Sequence, residues 1–297
     1  MSKIFLIIGA NGYLGSYLIR AVKEKTGDTV MATARRHLEP DPGTAESWIS
    51  CDITDRKAVD ELAAHMKAIG EEYYVIVCAA CHQPEAVEKN PRLAWDINVT
   101  ALSYLLNRLE NVKDLYYPST DSVYGQSVGQ QRFVEEDRPA PVNTYGRQKV
   151  VAESLVLGYG YHVVRFPFLI GPSLAPGKEH FYDRIVTSLT NGQPVEMFAD
   201  SYRSSLDFAT AAGCMIDLMT CGKQVPAIVN ICGDDDLSKY DIGKMIAGKL
   251  GAAQELIRPV FFHSDQGIFN VKRAQSTLMD NTRMKDLLGL RQVKISV

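Results

Sequence analysis

No apolar run in this 297-residue chain approaches the roughly 18–20 residues that cross a bilayer, so a membrane span is not expected. The apolar run from Ile4 to Ile8 is short and ends in a glycine loop rather than a cleavage site, which argues against a signal peptide. Charge of one sign is scarce too. Lys and Arg number 32 against 35 Asp and Glu, a net −3, and no global positive field draws nucleic acid or anionic lipid. Cysteine is sparse, with six residues at 51, 78, 81, 214, 221 and 232. A chain this long needs no stapling, so buried free thiols in a reducing cytosol are the expected state, and the protein is expected to be cytoplasmic. Cys78-Ala79-Ala80-Cys81 has the spacing of a redox pair or half a zinc site. No second pair matches it and Cys78 continues a strand-like run, so strand-end packing is expected and no metal site.

The composition, 46% hydrophobic and 23% charged, is that of a soluble globular protein with one large domain or two modest ones. There is no internal repeat, low-complexity tract or linker. Short apolar runs alternate with helical periodicity. Strands are expected at 4–8, 29–34, 49–53, 73–79, 114–118 and 162–166, with helices at 13–24, 55–67, 92–109 and 145–157 between them. This βαβα rhythm predicts an α/β fold, a Rossmann-type doubly wound parallel sheet. After about residue 170 the rhythm weakens at Pro172, Pro176 and Gly177. Helices at 180–190, at 209–219 and from 238, a short strand at 195–198, and a strand at 227–232 returning to the main sheet are expected. The implied division is a dinucleotide-binding unit, 1–170 plus 227–232, and a smaller mixed α/β substrate-binding region, 171–226 and 233–297.

Gly9-Ala10-Asn11-Gly12-Tyr13-Leu14-Gly15 follows the first strand and opens the first helix. Gly9 permits a tight turn, Gly12 lets backbone approach a pyrophosphate, and Gly15 allows close packing of helix on strand. The helix N-terminus offers unpaired N–H groups and a positive dipole end. At the end of the second strand stand Arg35 and Arg36, with no carboxylate until Glu39. Two guanidinium groups there can bind a 2′-phosphate bidentately, which favours NADP(H) and leaves NAD(H) as the alternative. Asp52-Ile53 fits an adenine-side contact.

Tyr145 and Lys149 are spaced to share one helix face, about 6 Å of rise and about 40° apart. An ammonium near a phenol favours the phenolate, which would make Tyr145 a usable acid or base near neutral pH. The hydroxyl-rich Ser119-Thr120-Asp121-Ser122-Val123-Tyr124-Gly125 follows the fifth strand, where ligands of open parallel sheets bind.

Together with Asn143–Lys149 and Arg165-Phe166-Pro167, these motifs resemble the extended short-chain dehydrogenase/reductase family of NDP-sugar epimerases, dehydratases and reductases. The resemblance covers nearly the whole chain. Within the family it is nearest to the dTDP-4-dehydrorhamnose reductase branch, through compact length, the Ser-Thr-Asp run and the segment from Arg273 to Asn281. The resemblance implies Tyr145 as proton donor, Lys149 as its electrostatic partner and ribose anchor, and Thr120 as the holder of the reacting oxygen. Asp121 and Ser122 would line the sugar site. Ala79 and Ala80 would lie along the cofactor, with Cys78 where the family usually has Asn. Asn98 would hold active-site backbone or water beside the cofactor. Phe168 stands where the branch commonly has Trp and could stack on a sugar. Arg203 matches the family arginine that meets the nucleotide pyrophosphate. Ser122 replaces the glutamate of the dehydratases, which disfavours elimination. Three readings follow: an NADPH-dependent reductase of a nucleotide-linked 4-keto sugar, an NAD(P)-dependent epimerase, or a nucleotide-binding regulatory subunit resembling that of methionine adenosyltransferase. The expected partner is a nucleotide sugar, without nucleic acid or membrane, and family habit implies a homodimer.

Overall fold

The computed structural model describes residues 3–36, 45–175, 177–262 and 271–297. Glu39 and Pro176, used in the readings above, lie outside them. The strands are β1 Ile4–Ile8, β2 Thr29–Ala34, β3 Ser47–Ser50, β4 Tyr73–Val77, β5 Val112–Thr120, β6 Arg132–Phe133, β7 His162–Phe166 and β8 Leu169–Ile170. Beyond them come β9 Val195–Phe198, β10 Tyr202–Arg203, β11 Leu206–Asp207, β12 Ile228–Asn230, β13 Leu237–Ser238, β14 Ile257–Val260 and β15 Leu278–Met279. The helices are α1 Tyr13–Lys25, α2 Arg56–Ile69, α3 Pro84–Lys89, α4 Pro91–Trp95, α5 Leu102–Arg108, α6 Thr144–Gly158, α7 Phe181–Thr190, α8 Phe208–Thr220, α9 Lys239–Leu250 and α10 Thr282–Leu288.

Seven strands form one sheet in the order β12-β7-β5-β4-β1-β2-β3. Every neighbouring pair is parallel. Parallel strands need covered faces. One face is packed by α1 and α8, whose Leu18, Val22, Ala211, Met215 and Ile216 meet Phe5, Ile7 and Val164. The other is packed by α2, α5 and α6 over Leu6, Val75 and Leu115. This is the expected doubly wound α/β sheet, and the strand near 227–232 returns as its edge, at Ile228–Asn230 beside β7. A third cluster joins α7 and α9 to β9 and β14 through Ile185, Leu189, Ile246 and Ile257.

Four details differ from the expectation. The third strand lies at Ser47–Ser50, not 49–53, because Ile53 leaves the sheet and packs into the core beside α2. The single helix expected over 92–109 is α4, a π-helical stretch Asp96–Ala101 and α5, preceded by α3, with Pro84 and Pro91 at helix starts. α8, assigned above to the substrate region, lies on α1 against the sheet because its apolar face, Phe208 to Met219, belongs to that core. The six cysteines are free, but only Cys51, Cys214 and Cys232 are buried; Cys78, Cys81 and Cys221 are half-buried.

Candidate active site

Gly9, at the end of β1, has φ +79°, the left-handed turn that glycine adopts without penalty. A Cβ there would meet the Ala79 backbone at 2.7 Å. Gly15 lies equally close to Ala10, where a Cβ would stand 2.7 Å from backbone, so α1 starts pressed against the turn. At Gly12 only the Gly9 carbonyl lies within reach, at 3.4 Å, so the ligand-facing side is open. Gly12 caps α1 without a side-chain hydrogen bond, and the first turn has no acidic residue. The N–H groups at this helix start are thus left to an anion. Arg35 and Arg36 stand exposed just past β2. The glycine turn and the open helix start fit the phosphates of a dinucleotide.

A cleft of about 600 Å³ lies beyond the carboxyl ends of β1, β4, β5 and β7, lined by Gly12, Cys78, Thr120, Tyr145, Lys149 and Pro167 among others. Tyr13, Leu14, Gly15, Ala80, Asp121, Ser122, Phe168 and Arg203 also line it. The fold brings these sequence-distant residues together because β5 ends at Thr120 and turns at Asp121–Val123, while α6 starts against that turn. Gly146 makes the approach possible: a Cβ there would stand 2.5 Å from the Ser122 carbonyl oxygen. Asn143 caps α6 by accepting from the Gly146 N–H at 2.9 Å.

The Thr120 hydroxyl accepts from the Ser122 N–H at 3.2 Å and donates to Asp121 Oδ1 at 3.1 Å. To hold a substrate oxygen it needs only to rotate away from Asp121. Tyr145 is half-buried beside it. Its phenol is held above the usual value of 10, first by burial and then by the Asp121 carboxylate, with the Thr120 hydroxyl acting in the opposite direction. This corrects the expectation of a lowered phenol. The reason is visible in Lys149, whose Nζ donates to Tyr117 Oη at 2.6 Å and to the Pro118 carbonyl at 2.7 Å rather than to Tyr145. Burial brings the Lys149 ammonium down to about 7, with Glu153 the chief opposing influence. The Cys78 thiol beside the cleft is pushed up to about 12 by burial and stays protonated, a poor metal ligand or nucleophile.

Other expected contacts are placed differently. Asn98 does not line the cleft. It sits buried in the π-helical stretch, accepts from the Cys81 N–H at 2.8 Å and donates to the Cys81 carbonyl at 3.0 Å and to Gln148 at 2.9 Å. It therefore fastens the loop after β4 to α6, holding the Cys81 backbone. The Ile53 side chain is in the core, and Asp52 Oδ1 turns back to the N–H and hydroxyl of Thr54 at 3.0 and 2.7 Å. Gly9, Asn11, Arg35, Arg36 and Ala79 lie outside the cleft lining, on the side of the glycine loop. Arg203 lines the cleft, but its guanidinium is occupied: Nε lies 3.2 Å from Asp121, Nη1 donates to the carbonyls of Tyr202 and Gln275 at 2.7 and 2.8 Å, and Nη2 to that of Ala274 at 2.7 Å.

Sequence reasoning missed Tyr117, which no motif marks, and Glu153, which lies one helical turn past Lys149. Glu153 is a buried partner of Arg165, at 2.6 and 3.0 Å, and also accepts from the Ser119 hydroxyl. It missed Lys239 and Phe181 as well, since they stand on separate helices. Among the described residues no group of three or more His, Cys, Asp or Glu side chains is placed to hold a metal, and no helix is long and apolar enough to cross a membrane.

Known proteins share this fold. The chain is 29% identical over 264 residues to the probable low-salt glycan biosynthesis reductase of Haloferax volcanii, covering 84% of this chain and 81% of that protein. It is 23% identical to the methionine adenosyltransferase 2 subunit beta of Mus musculus, over 98% of this chain and 84% of that one. A dTDP-4-dehydrorhamnose reductase of Bacillus anthracis, solved in complex with NADP, has the same fold at a TM-score of 0.80 and 21% identity, covering 99% of this chain and 95% of its own. Residues 2–295 match the RmlD substrate binding domain family, and the chain belongs to that family.

Proposed function

We propose that the protein is an NADPH-dependent reductase acting on the 4-keto group of a nucleotide-linked (6-deoxy)sugar. The observation that carries this reading is the meeting of Thr120, Tyr145 and Lys149 in one cleft that runs on to the uncapped start of α1. A dinucleotide would lie with its diphosphate on Gly12 and the N–H groups of α1, and with Arg35 and Arg36 at a 2′-phosphate. When bound, the reduced nicotinamide supplies hydride to the carbonyl carbon.

The chain supplies the rest. Thr120 turns its hydroxyl from Asp121 to the keto oxygen and fixes the carbonyl. Tyr145, kept protonated by burial, gives its proton to that oxygen as the C–H bond forms, so the ketone becomes an alcohol. The phenolate left behind is stabilised by the Lys149 ammonium, one turn along α6. Asp121 and Ser122 line the sugar site, and Phe168 offers a ring for stacking. Ser122 stands where the dehydratases carry glutamate, so no adjoining carboxylate pairs with Asp121 for eliminating water.

The test is NADPH consumption with a 4-keto-6-deoxy sugar nucleotide, for the wild-type protein and for Tyr145→Phe. Turnover that the substitution abolishes supports the reductase. Tight NADPH binding without turnover on a panel of sugar nucleotides would replace it with a nucleotide-binding regulatory module.

A further inference from the structure

Lys239 is the first residue of α9, whose start is fixed by a capping box between Ser238 and Asp241. Its ammonium lies 5.1 Å from the centre of the Phe168 ring and 5.0 Å from that of Phe181. Among the described residues no carboxylate stands within ion-pair distance of it. Instead Arg184, Arg203 and Arg273 surround it, and only Glu85, itself paired with Arg273, opposes them. A lysine at a helix start also faces the positive end of the helix dipole, where acidic residues are favoured. Burial, three neighbouring guanidinium groups and the dipole all penalise this charge, and an anion in the cleft would relieve all three. The cleft is built for one: lysine and arginine supply five of its lining side chains against two carboxylates, Asp121 and Glu179, in a chain of net charge −3. Arg203 is poorly placed to serve alone, since Asp121 and three carbonyls already hold its nitrogens.

We propose that Lys239, over the Phe168–Phe181 ring pair and beside Arg184, is an anchor for the diphosphate of the sugar nucleotide, and that Arg203 acts as a brace holding residues 274–275 to Asp121. This rests on the reductase reading and specifies how that substrate is held. The Lys239 ammonium donates to diphosphate oxygen, with Arg184 adding charge at the exposed side of the same subsite. The energy that the unliganded cleft lacks is recovered only when the doubly charged group enters.

The experiment is calorimetric titration of the full chain with dTDP, UDP, inorganic pyrophosphate and NADPH, comparing wild type with Lys239→Met and Lys239→Arg. Methionine keeps the stem over the rings and removes a poorly housed charge, so melting temperature should hold or rise. A charge-assisted hydrogen bond lost from such a site weakens nucleoside diphosphate binding on the order of ten- to a hundredfold. Lys239→Met should show that loss for dTDP or UDP, Lys239→Arg should recover most of it, and NADPH affinity should not move. Equal dTDP and UDP affinity in wild type and Lys239→Met overturns the proposal while leaving the reductase reading intact. Loss of NADPH rather than dTDP affinity also overturns it, because the anchor would then serve the cofactor. A wild-type protein that binds neither NADPH nor nucleoside diphosphate overturns both readings.

Discussion

Lys149 reaches across the end of the sheet and donates to the phenol of Tyr117, 2.6 Å away, with its Nζ 3.9 Å from the centre of that ring. Tyr145, which precedes Lys149 by one helical turn, receives no such bond. The lysine is thus held by β5 rather than by Tyr145. Tyr117 is buried, and its phenol is held well above its ordinary value, so it serves the ammonium as a neutral acceptor.

This arrangement sets the pH dependence. Burial raises the Tyr145 phenol above its usual value, so its own titration adds no limb near neutral pH. Burial brings the Lys149 ammonium down to about 7. It is present below that pH and lost above it. The expected kcat/KM for a keto sugar nucleotide is therefore level below about 7 and falls with a slope of one proton above it. Lys149→Met should abolish this limb. A profile that rises through pH 7 would show that the neutral amine is the working form.

Tyr117→Phe removes one of the two acceptors of the Lys149 ammonium and leaves the Pro118 carbonyl. The charged form loses support, so the limb should move to lower pH. A pH–rate profile of this variant beside wild type measures the shift, and an unmoved limb would mean the Tyr117 contact is incidental.

Tyr145→Phe removes the proton donor while keeping the ring. Losing a general acid costs roughly 10²- to 10⁴-fold in kcat. NADPH affinity and thermal stability should be retained. Single-turnover kinetics and equilibrium cofactor binding separate the two effects.

Arg35→Ala with Arg36→Ala should weaken NADPH binding and leave NADH binding nearly unchanged, since only NADPH carries the 2′-phosphate. Each lost charge-assisted contact is worth on the order of tenfold or more. Both side chains are exposed, so folding is unaffected. Fluorescence titrations with both cofactors give the ratio directly, and equal losses for the two would place the phosphate elsewhere.

Glu153 and Arg165 form a buried bidentate pair, with side chains 4% and 2% exposed. Glu153→Gln leaves the arginine charge uncompensated, and breaking such a pair costs about 3–5 kcal/mol. Chemical denaturation should show that loss. Because Glu153 also holds Ser119 and supports the Lys149 ammonium, the same variant should lower the pH of the activity limb.

Much of this was legible in the chain itself. The run Ile4–Ile8 followed by glycines at 9, 12 and 15 can hardly be other than a strand, a tight turn and a helix start, because φ +79° at Gly9 and the 2.7 Å approach at Gly15 exclude other side chains. The βαβα period specified the parallel sheet, since apolar strands with two faces to bury alternate with helices that have one. Local chemistry also marked Thr120, Tyr145 and Lys149, which stand in short contiguous motifs.

What the tertiary structure alone decided is where charges go. Spacing put Tyr145 and Lys149 on one helix face, but it could not reveal that Tyr117 and Pro118, on a strand, would take the ammonium. Nor could it show that Arg203 would be held by Asp121 and three carbonyls, or that Lys239 would stand among arginines over two phenylalanine rings. Secondary structure follows from the order of side chains along the chain. Protonation and ligand contacts follow from desolvation and from neighbours distant in sequence, and those are fixed only when the sheet, α6 and α9 close around one cleft.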